Sequence, residues 1–447
     1  MVLVLMGTAL LLLPFASTRP LHLNEALFTA VSALTVTGLS IITPATDLTL
    51  AGQFILLILI QTGGVGFMVL AAVIFALLGR KITLIDRLAI TDSMGLVRPG
   101  AVLRLTRNVI IGVHVIEVIG ATLLWLNWRA ELGDARALWY GLFHAVSAFC
   151  NAGFDLFTNA PYASGRAFGG IPNDGSTLFI LGTLIVLGGL GIPVLSDLLE
   201  QSLSRFKSGP SRKAKARALS LHTRLTLVTA LVLVLIGTVG LFVAEGQPTH
   251  TLANETFARR LQLSAFQSVA ARTAGFVAVP AYSFEALAPA SQLLMSVLMF
   301  IGCAPASMGG GITTGTLAVL VLALWSYVRR YPQPRIGNRS LATGTVRRAA
   351  AVLTVSAFVV LAAAWLILVS HPGATLDQAL FEVISAFATC GLTLAFTTNL
   401  NLFGQAVIMA VMFWGRLGAL TIVTAIAQQQ QSTSARIAYP EEQVLIG

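Results

Sequence analysis

Apolar residues in this chain come in runs cut by short polar loops, and the runs have two lengths. The longer ones suit helices crossing a hydrocarbon layer, which takes about 20 apolar residues, whereas runs of about three turns do not reach across. The clearest short run is Asn24 to Thr43, NEALFTAVSALTVTGLSIIT, where an apolar helix predicted from Glu25 to Leu34 stops at Thr35-Val36-Thr37-Gly38. The same pattern returns as LFHAVSAFCNAGFD around Gly153, AFQSVAARTAGF around Gly275 and LFEVISAFATCGLT around Gly391. The four glycines lie 115, 122 and 116 residues apart. A Phe sits ten residues ahead of three of them (Phe28, Phe143, Phe381), but Phe266 is nine ahead of Gly275. A fixed long period marks one structural unit used four times.

Each short helix lies between two longer ones. The predicted order is 2–15, a short helix to Gly38, and 54–79; then 108–126, a loop at 137–155, and 177–200. It continues with 225–244, 258–277 and 291–328, and closes with 349–369, 377–393 and 405–427. The units run 1–100, 101–217, 218–346 and 347–432, with a tail at 433–447. A helix too short to span, ending in a glycine turn between two spans, describes a re-entrant pore loop. The predicted fold is an all-α polytopic membrane protein: four helix–pore-loop–helix repeats in pseudo-fourfold arrangement around one pore, with eight spanning and four pore helices.

Such loops suit a cation. An ion leaving water needs replacement oxygens, and rings of backbone carbonyls supply them. Aligning successive carbonyls takes backbone angles that glycine tolerates and Cβ-bearing residues resist. A helix C-terminus aimed at the site adds about half a negative charge. The candidate lining is Thr35, Val36, Thr37 and Gly38; Cys150, Asn151, Ala152 and Gly153; Thr273, Ala274 and Gly275; and Ala388, Thr389, Cys390 and Gly391. Ordinary helix caps would also use these glycines, but four at one period favour a shared site.

A second tetrad follows each filter: Gly63-Gly64-Val65-Gly66, Gly188-Gly189-Leu190-Gly191, Met308-Gly309-Gly310-Gly311 and Gly415-Arg416-Leu417-Gly418. Glycines in membrane helices often serve close packing. In the third unit they belong to a longer interruption, with Gly302, Pro305, Ser307, Gly309, Gly310 and Gly311 as the candidate gate. Proline removes a donor and glycine weakens a helix, so this stretch must be buried in protein or line a cavity. A nucleotide-binding loop is a poor competitor, because GGGITTG lacks Gly-Lys-Ser/Thr. Arg416 takes the place of Gly64, Gly189 and Gly309, so it should point at the same axis. An arginine about 8 Å from a cation, at an effective dielectric near 20, raises the cation's energy by about 2 kcal/mol. The competing reading is a salt bridge to another helix.

Composition sharpens this picture. Of the residues, 56% are hydrophobic and 10% charged. The net charge of +10 does not point to nucleic acid, because three loops hold 19 of the 28 Lys and Arg, and the pore-loop sides hold seven. The positive-inside rule puts those loops and both termini in the cytoplasm. Cys150, Cys303 and Cys390 have no metal spacing, and the six histidines show none. The apolar N-terminus has no basic n-region, so it reads as a somewhat short first membrane helix rather than a cleaved signal. His114 and Glu117, one turn apart, read as paired with each other or a neighbour; Asp47, Glu131, Asp134 and Asp155 read as solvated outer charges. No nucleophile–base set or metal cluster is visible, so the chain reads as no enzyme.

With its four filters in order, the chain resembles the Ktr-type membrane subunits of the Trk/Ktr/HKT potassium transporter superfamily, nearly end to end as far as Tyr439-Pro440-Glu441-Glu442. That resemblance implies channel-like potassium uptake across the cytoplasmic (inner) membrane, gated by an intramembrane loop and possible to stimulate with sodium. Glycine in all four filters goes with potassium preference, and serine in the first with sodium permeability. Met308 and Thr313 depart from the family pattern, where a Thr and a basic residue are common. The resemblance also implies a homodimer on a cytosolic RCK-type ring. Nucleotide (ATP, ADP or NAD) would then act only through that partner, with K⁺ as the transported ion, membrane lipid around it and no covalent cofactor. The alternatives are a less selective K⁺/Na⁺ transporter or the cation-binding subunit of a P-type potassium pump.

Overall fold

The structure, a computed structural model, describes residues 1–66, 102–157, 171–207, 219–278 and 287–418, apart from positions 332, 337, 338 and 342. Outside them lie Arg80, Lys81, Arg87 and Arg98, most of the second basic loop, and the C-terminal Tyr439-Pro440-Glu441-Glu442. Among the described residues the fold is helical apart from two paired two-residue strands, Arg335–Ile336 against Arg339–Ser340, in a basic loop.

Four buried helices organise the rest: α2 (Leu23–Thr35), α5 (Asp134–Phe149), α9 (Phe257–Ala270) and α13 (Leu376–Ala388). Before each stands a helix: α1 (Val2–Leu11), α4 (Val102–Leu132), α8 (Leu221–Ala244) and α12 (Thr343–Ser370). After them come α3 (Leu50–Val65), α6 (Gly175–Gly189) leading into α7 (Ile192–Lys207), α10 (Pro289–Phe300) leading into α11 (Thr314–Val328), and α14 (Leu402–Leu417).

Local sequence explains where these helices start. Thr49, Asp174, Thr313 and Asn401 each accept the backbone N–H three residues on, satisfying a donor that a helix start leaves free. In α2 a capping box joins His22 to Glu25, and Glu25 is ion-paired with Arg19 at 2.9 Å.

Among the described residues, three helices are long and apolar enough to cross a membrane: Val109–Leu132, Leu221–Ala244 and Gly344–Ser370. Gly175–Gly189 with Pro193–Ser202 makes a fourth if that bent pair is one span. The predicted helices 54–79, 177–200 and 405–427 are not continuous as far as they are described; 67–79 and 419–427 lie outside the described residues. The first stops at Val65, the second turns by 105° after Gly189, and the third stops at Leu417. Each stops one or two residues before a glycine with positive φ (Gly66, Gly191, Gly418), a conformation a helix cannot continue through.

Packing runs cyclically. Helix α3 packs on α5, α6 on α9, α10 on α13, and α14 back on α2. The core follows the buried helices: Phe28, Phe143, Phe149, Phe381 and Phe387 are all sealed from solvent. Many large apolar side chains on α4, α8 and α12 are instead exposed outward, as lipid-facing surfaces are.

Candidate functional site

Each buried helix ends in a similar reversal. The residue two before the glycine is left-handed in all four copies: Val36 (φ 58°), Asn151 (57°), Thr273 (68°) and Thr389 (50°). Three of the four are β-branched, for which this region is costly, so the surroundings must impose it. In three copies the next N–H turns back to the helix: Thr37 to the Ser32 carbonyl (2.8 Å), Ala152 to Ser147 (2.7 Å) and Cys390 to Ser385 (2.8 Å). Serine hydroxyls then accept Gly38 N–H at 3.0 Å and Gly391 N–H at 3.1 Å. In a trans peptide the carbonyl points opposite its N–H, so the carbonyls face away from the helix ends. The third copy is shifted by one residue, with Gly275 N–H on the Ala270 carbonyl at 3.1 Å. This matches the displaced position of Phe266.

Those carbonyls meet in a closed ring. The glycines have φ of 90° (Gly38), 70° (Gly153), 73° (Gly275) and 92° (Gly391). A Cβ on Gly38 would strike the Ala152 carbonyl oxygen, and one on Gly153 would come within 2.9 Å of the Ala274 oxygen. On Gly275 it would strike the Cys390 oxygen, and on Gly391 the Thr37 oxygen. Every obstacle is the carbonyl just before the next copy's glycine, and the fourth returns to the first. A Cβ on Gly153 would also lie 3.3 Å from the Cys390 oxygen, two copies on, so the ring is narrow. Only glycine fits these four places. Of the other lining candidates, Thr35 donates to the Val31 carbonyl at 2.8 Å and touches Thr37 Oγ1 at 2.7 Å. Ala388 is fully buried, and Asn151 lies beside Thr273.

A second tier of four glycine turns, an open ring linked through Arg416 and Met308 rather than by glycine contacts, lies against the first. Gly66, Gly191, Gly311 and Gly418, the last residues of the four tetrads, have φ of 87°, 81°, 78° and 80°. At the first position, Gly63, Gly188 and Gly415 face the carbonyls of Leu34, Phe149 and Phe387, each four residues before a ring glycine, with no room for a Cβ. The fourth tetrad carries an arginine where the other three have Gly64, Gly189 and Gly309. The Arg416 guanidinium donates to the Met308 carbonyl, to Gly63 and, at 3.3 Å, to Gly64. The expected alternative of a salt bridge to another helix is not what holds it: among the described residues its partners are backbone carbonyls, two of them at the C-terminus of α3.

The interruption between α10 and α11 is a loop from Ile301 to Thr313. It is pinned to the broken end of α6, because Ala304 N–H donates to the Gly189 carbonyl at 3.0 Å and Met308 N–H to Gly188 at 3.2 Å. It also closes on itself, with Thr314 N–H on the Cys303 carbonyl at 3.0 Å. A Cβ on Gly302 would strike the Gly310 carbonyl, one on Gly191 would meet Pro305 O at 2.6 Å, and one on Gly310 would meet Thr389 Oγ1 at 2.6 Å. Gly309 sits against Thr273 and Cys303, Gly311 turns with positive φ, and the Ser307 hydroxyl is buried. The belt α6–Met308–Arg416–α3 thus spans the second ring.

Several charged positions read differently in the structure. Glu117 is 3% exposed and accepts Gln61 Nε2 at 2.9 Å, with Cys150 Sγ at 3.8 Å, whereas His114 is exposed and bonds the Ile110 carbonyl. They point apart because Gln61 on α3 offers the carboxylate a donor inside the protein. Asp155 is buried and caps Phe157 N–H at 2.9 Å; it is not a solvated charge. Asp47 pairs with Arg19 at 3.4 Å. Two buried charges escaped sequence reasoning, although each stands out in an apolar helix or turn. Glu382 on α13 accepts the hydroxyls of Thr393 (2.7 Å) and Thr397, and Arg272, in the turn after α9, donates to the Gly302 carbonyl at 3.1 Å. All three cysteines are buried and free. Among the described residues no group of three His, Cys, Asp or Glu is placed to hold a metal.

Comparison with known proteins gives this geometry a family. The model of the TrkH family, described as cation transport proteins, matches residues 2–436. This chain belongs to the TrkH family. Within it, the chain is 35% identical over 445 residues to "Ktr system potassium uptake protein B" of Vibrio alginolyticus, covering 99% of this chain and 92% of that one. It is 34% identical to the Bacillus subtilis protein of the same name, across 99% and 94% of the two chains. To "Potassium/sodium uptake protein NtpJ" of Enterococcus hirae it is 33% identical, across 100% and 95%. A crystal structure of the potassium transporter TrkH from Vibrio parahaemolyticus shares the fold at a TM-score of 0.68 and 19% identity, covering 96% of this chain and 84% of that one. As a TrkH-family member the chain belongs among membrane transport proteins rather than enzymes.

Proposed function

We propose that this chain takes up potassium through a channel-like pore, with the first glycine ring as its selectivity filter. One observation carries the reading: four glycine turns, spread through the sequence, converge so that only backbone lies between them. Carbonyl oxygens turned away from four helix ends are the chemistry a dehydrated cation needs. In this reading the filter is lined by Thr35 to Gly38, Cys150 to Gly153, Thr273 to Gly275 and Ala388 to Gly391. It is built from the four units 1–100, 101–217, 218–346 and 347–432, each a helix, a pore helix and an inner helix, eight spans in all. The relatives named for potassium uptake, matched end to end, support the choice of ion.

The second ring is the gate. The 302–311 loop and Arg416 stand across the axis, held to one another by the Met308 carbonyl. Opening requires the loop to leave the Gly188 and Gly189 carbonyls and the guanidinium to swing aside. The membrane potential supplies the driving force, about 2.3 kcal/mol per charge for each 100 mV. The basic loops and termini face the cytoplasm of the cell membrane, where a second copy and a nucleotide-binding ring complete a regulated assembly. The Ktr system names of the relatives speak for such a partner.

Potassium flux into liposomes holding the purified chain tests this reading. Removing residues 304–311 raises the flux if the loop is the barrier; unchanged flux in a folded protein sinks the gate. A second reading, a less selective K⁺/Na⁺ pathway, is favoured by the end-to-end match to a relative named for both ions. Sodium flux equal to potassium flux through the unaltered chain decides for it.

A further inference from the structure

Behind the 301–313 loop, and reaching Gly189 and Leu190 at the end of α6, lies a cavity of about 250 Å³ between α6, α8 and the loop. Its outer wall is apolar: Val186 is 42% exposed and Leu231 60%. Along α8 it runs from Thr226 to Val234, about 12 Å at the helical rise. Part of its lining is polar. Thr226, Thr314 and Arg272 line it, at 1%, 0% and 9% exposure, and Thr226 Oγ1, Thr314 Oγ1 and Arg272 Nε each lack a hydrogen-bond partner. The other guanidinium nitrogens of Arg272 reach only carbonyls, Gly302 at 3.1 Å and Ala230 at 3.5 Å. No carboxylate among the described residues comes within ion-pair distance of this cation. A buried charge and two buried hydroxyls without partners, lining one otherwise apolar slot, call for a compensating anion.

We propose that this cavity binds a single-chain amphiphile with a carboxylate head, a fatty acid of the surrounding bilayer. Its chain lies along Leu227, Ala230, Leu231 and Val234, and its carboxylate accepts from Arg272 Nε and the hydroxyls of Thr226 and Thr314. The geometry favours this over a free inorganic anion, because the walls are apolar and open toward hydrocarbon. Thr226 lies five residues inside the start of α8, about 8 Å by the helical rise, a depth a head group at the bilayer surface can reach. Arg272 also holds the first glycine of the loop, so the site touches the loop from behind. The proposal does not rest on the transport reading.

The test is photolabelling of the full chain in liposomes with a diazirine-bearing fatty acid, with labelled peptides located by mass spectrometry. Label should concentrate in the 226–234 segment. Unlabelled fatty acid should displace it at least about tenfold better than the alcohol of equal chain length, as a charge-assisted contact implies. Ala230→Phe, which fills the slot, should abolish the labelling. Thr226→Val combined with Thr314→Val, which keeps shape and packing, should weaken the labelling while the preference for acid over alcohol that Arg272 supplies persists. Label spread evenly over the lipid-facing helices overturns the proposal. So does equal displacement by the alcohol, or labelling that survives Ala230→Phe in a folded protein.

Discussion

The two glycine rings share a backbone and differ in their surroundings. Both use four glycines with φ between 70° and 92°, one from each copy of the sequence pattern. In the first ring every glycine is pressed against a neighbour's carbonyl, so backbone meets backbone all the way round. In the second, Gly66 has nothing among the described residues within 4 Å of its missing Cβ, Gly191 leans on Pro305, and the fourth tetrad inserts Arg416. Near-identical turns thus give a nearly regular ring where only main chain takes part, and a lopsided one where side chains enter. Regularity suits selection among ions; lopsidedness gives a structure that can hold two states.

Substitutions that treat the rings alike separate them. Gly38→Ala should have the largest effect, since it adds both strain and a clash with the Ala152 carbonyl. Potassium flux should fall at least about tenfold, as more than 1.4 kcal/mol of strain implies. Gly38→Ser should in addition raise sodium flux relative to potassium, and intact flux and selectivity in both variants would sink the filter. Arg416→Ala should raise flux, by up to about 30-fold if its whole repulsion of about 2 kcal/mol is lifted. Collapse of the fold instead would assign Arg416 to holding Gly63 and Met308 together.

Gly66→Ala, which meets no neighbour among the described residues, should cost only the strain of its positive φ with an extended ψ of 140°, about 1–3 kcal/mol, seen as a lower unfolding midpoint in detergent with unchanged selectivity. Lost selectivity there would merge the two rings into one functional unit. Glu382→Gln should be mildest, since Thr393 and Thr397 can turn their hydroxyls to suit an amide. About 1 kcal/mol of stability or less is at stake, read by the same midpoint.

How much of this was legible depended on what each feature leaves in the sequence. The four converging glycines could be found because a turn that excludes Cβ forces the same residue at one period. The register of the second tetrads was readable for the same reason, down to Met308–Gly311 ending in a positive-φ glycine like the other three. That α3 and α14 stop and α6 bends at these glycines was not readable, because glycines in an apolar run look alike whether they pack or turn. Glu117 was read as paired with His114, one turn away, or with a neighbour. The neighbour is Gln61, 56 residues away, which the sequence could not single out. Arg272 and Glu382 were visible as charges in apolar surroundings. Their partners are a carbonyl and two hydroxyls brought close by the fold, which spacing along the chain does not show.

The packing of α14 onto α2 has a consequence for how the molecule is made. The oxygen that meets Gly391 belongs to Thr37, so the oldest and newest parts of a growing polypeptide must come together before all four turns have both neighbours. A ribosome product released after three units would complete only the middle turn, at Gly153, and leave the other two open on one side.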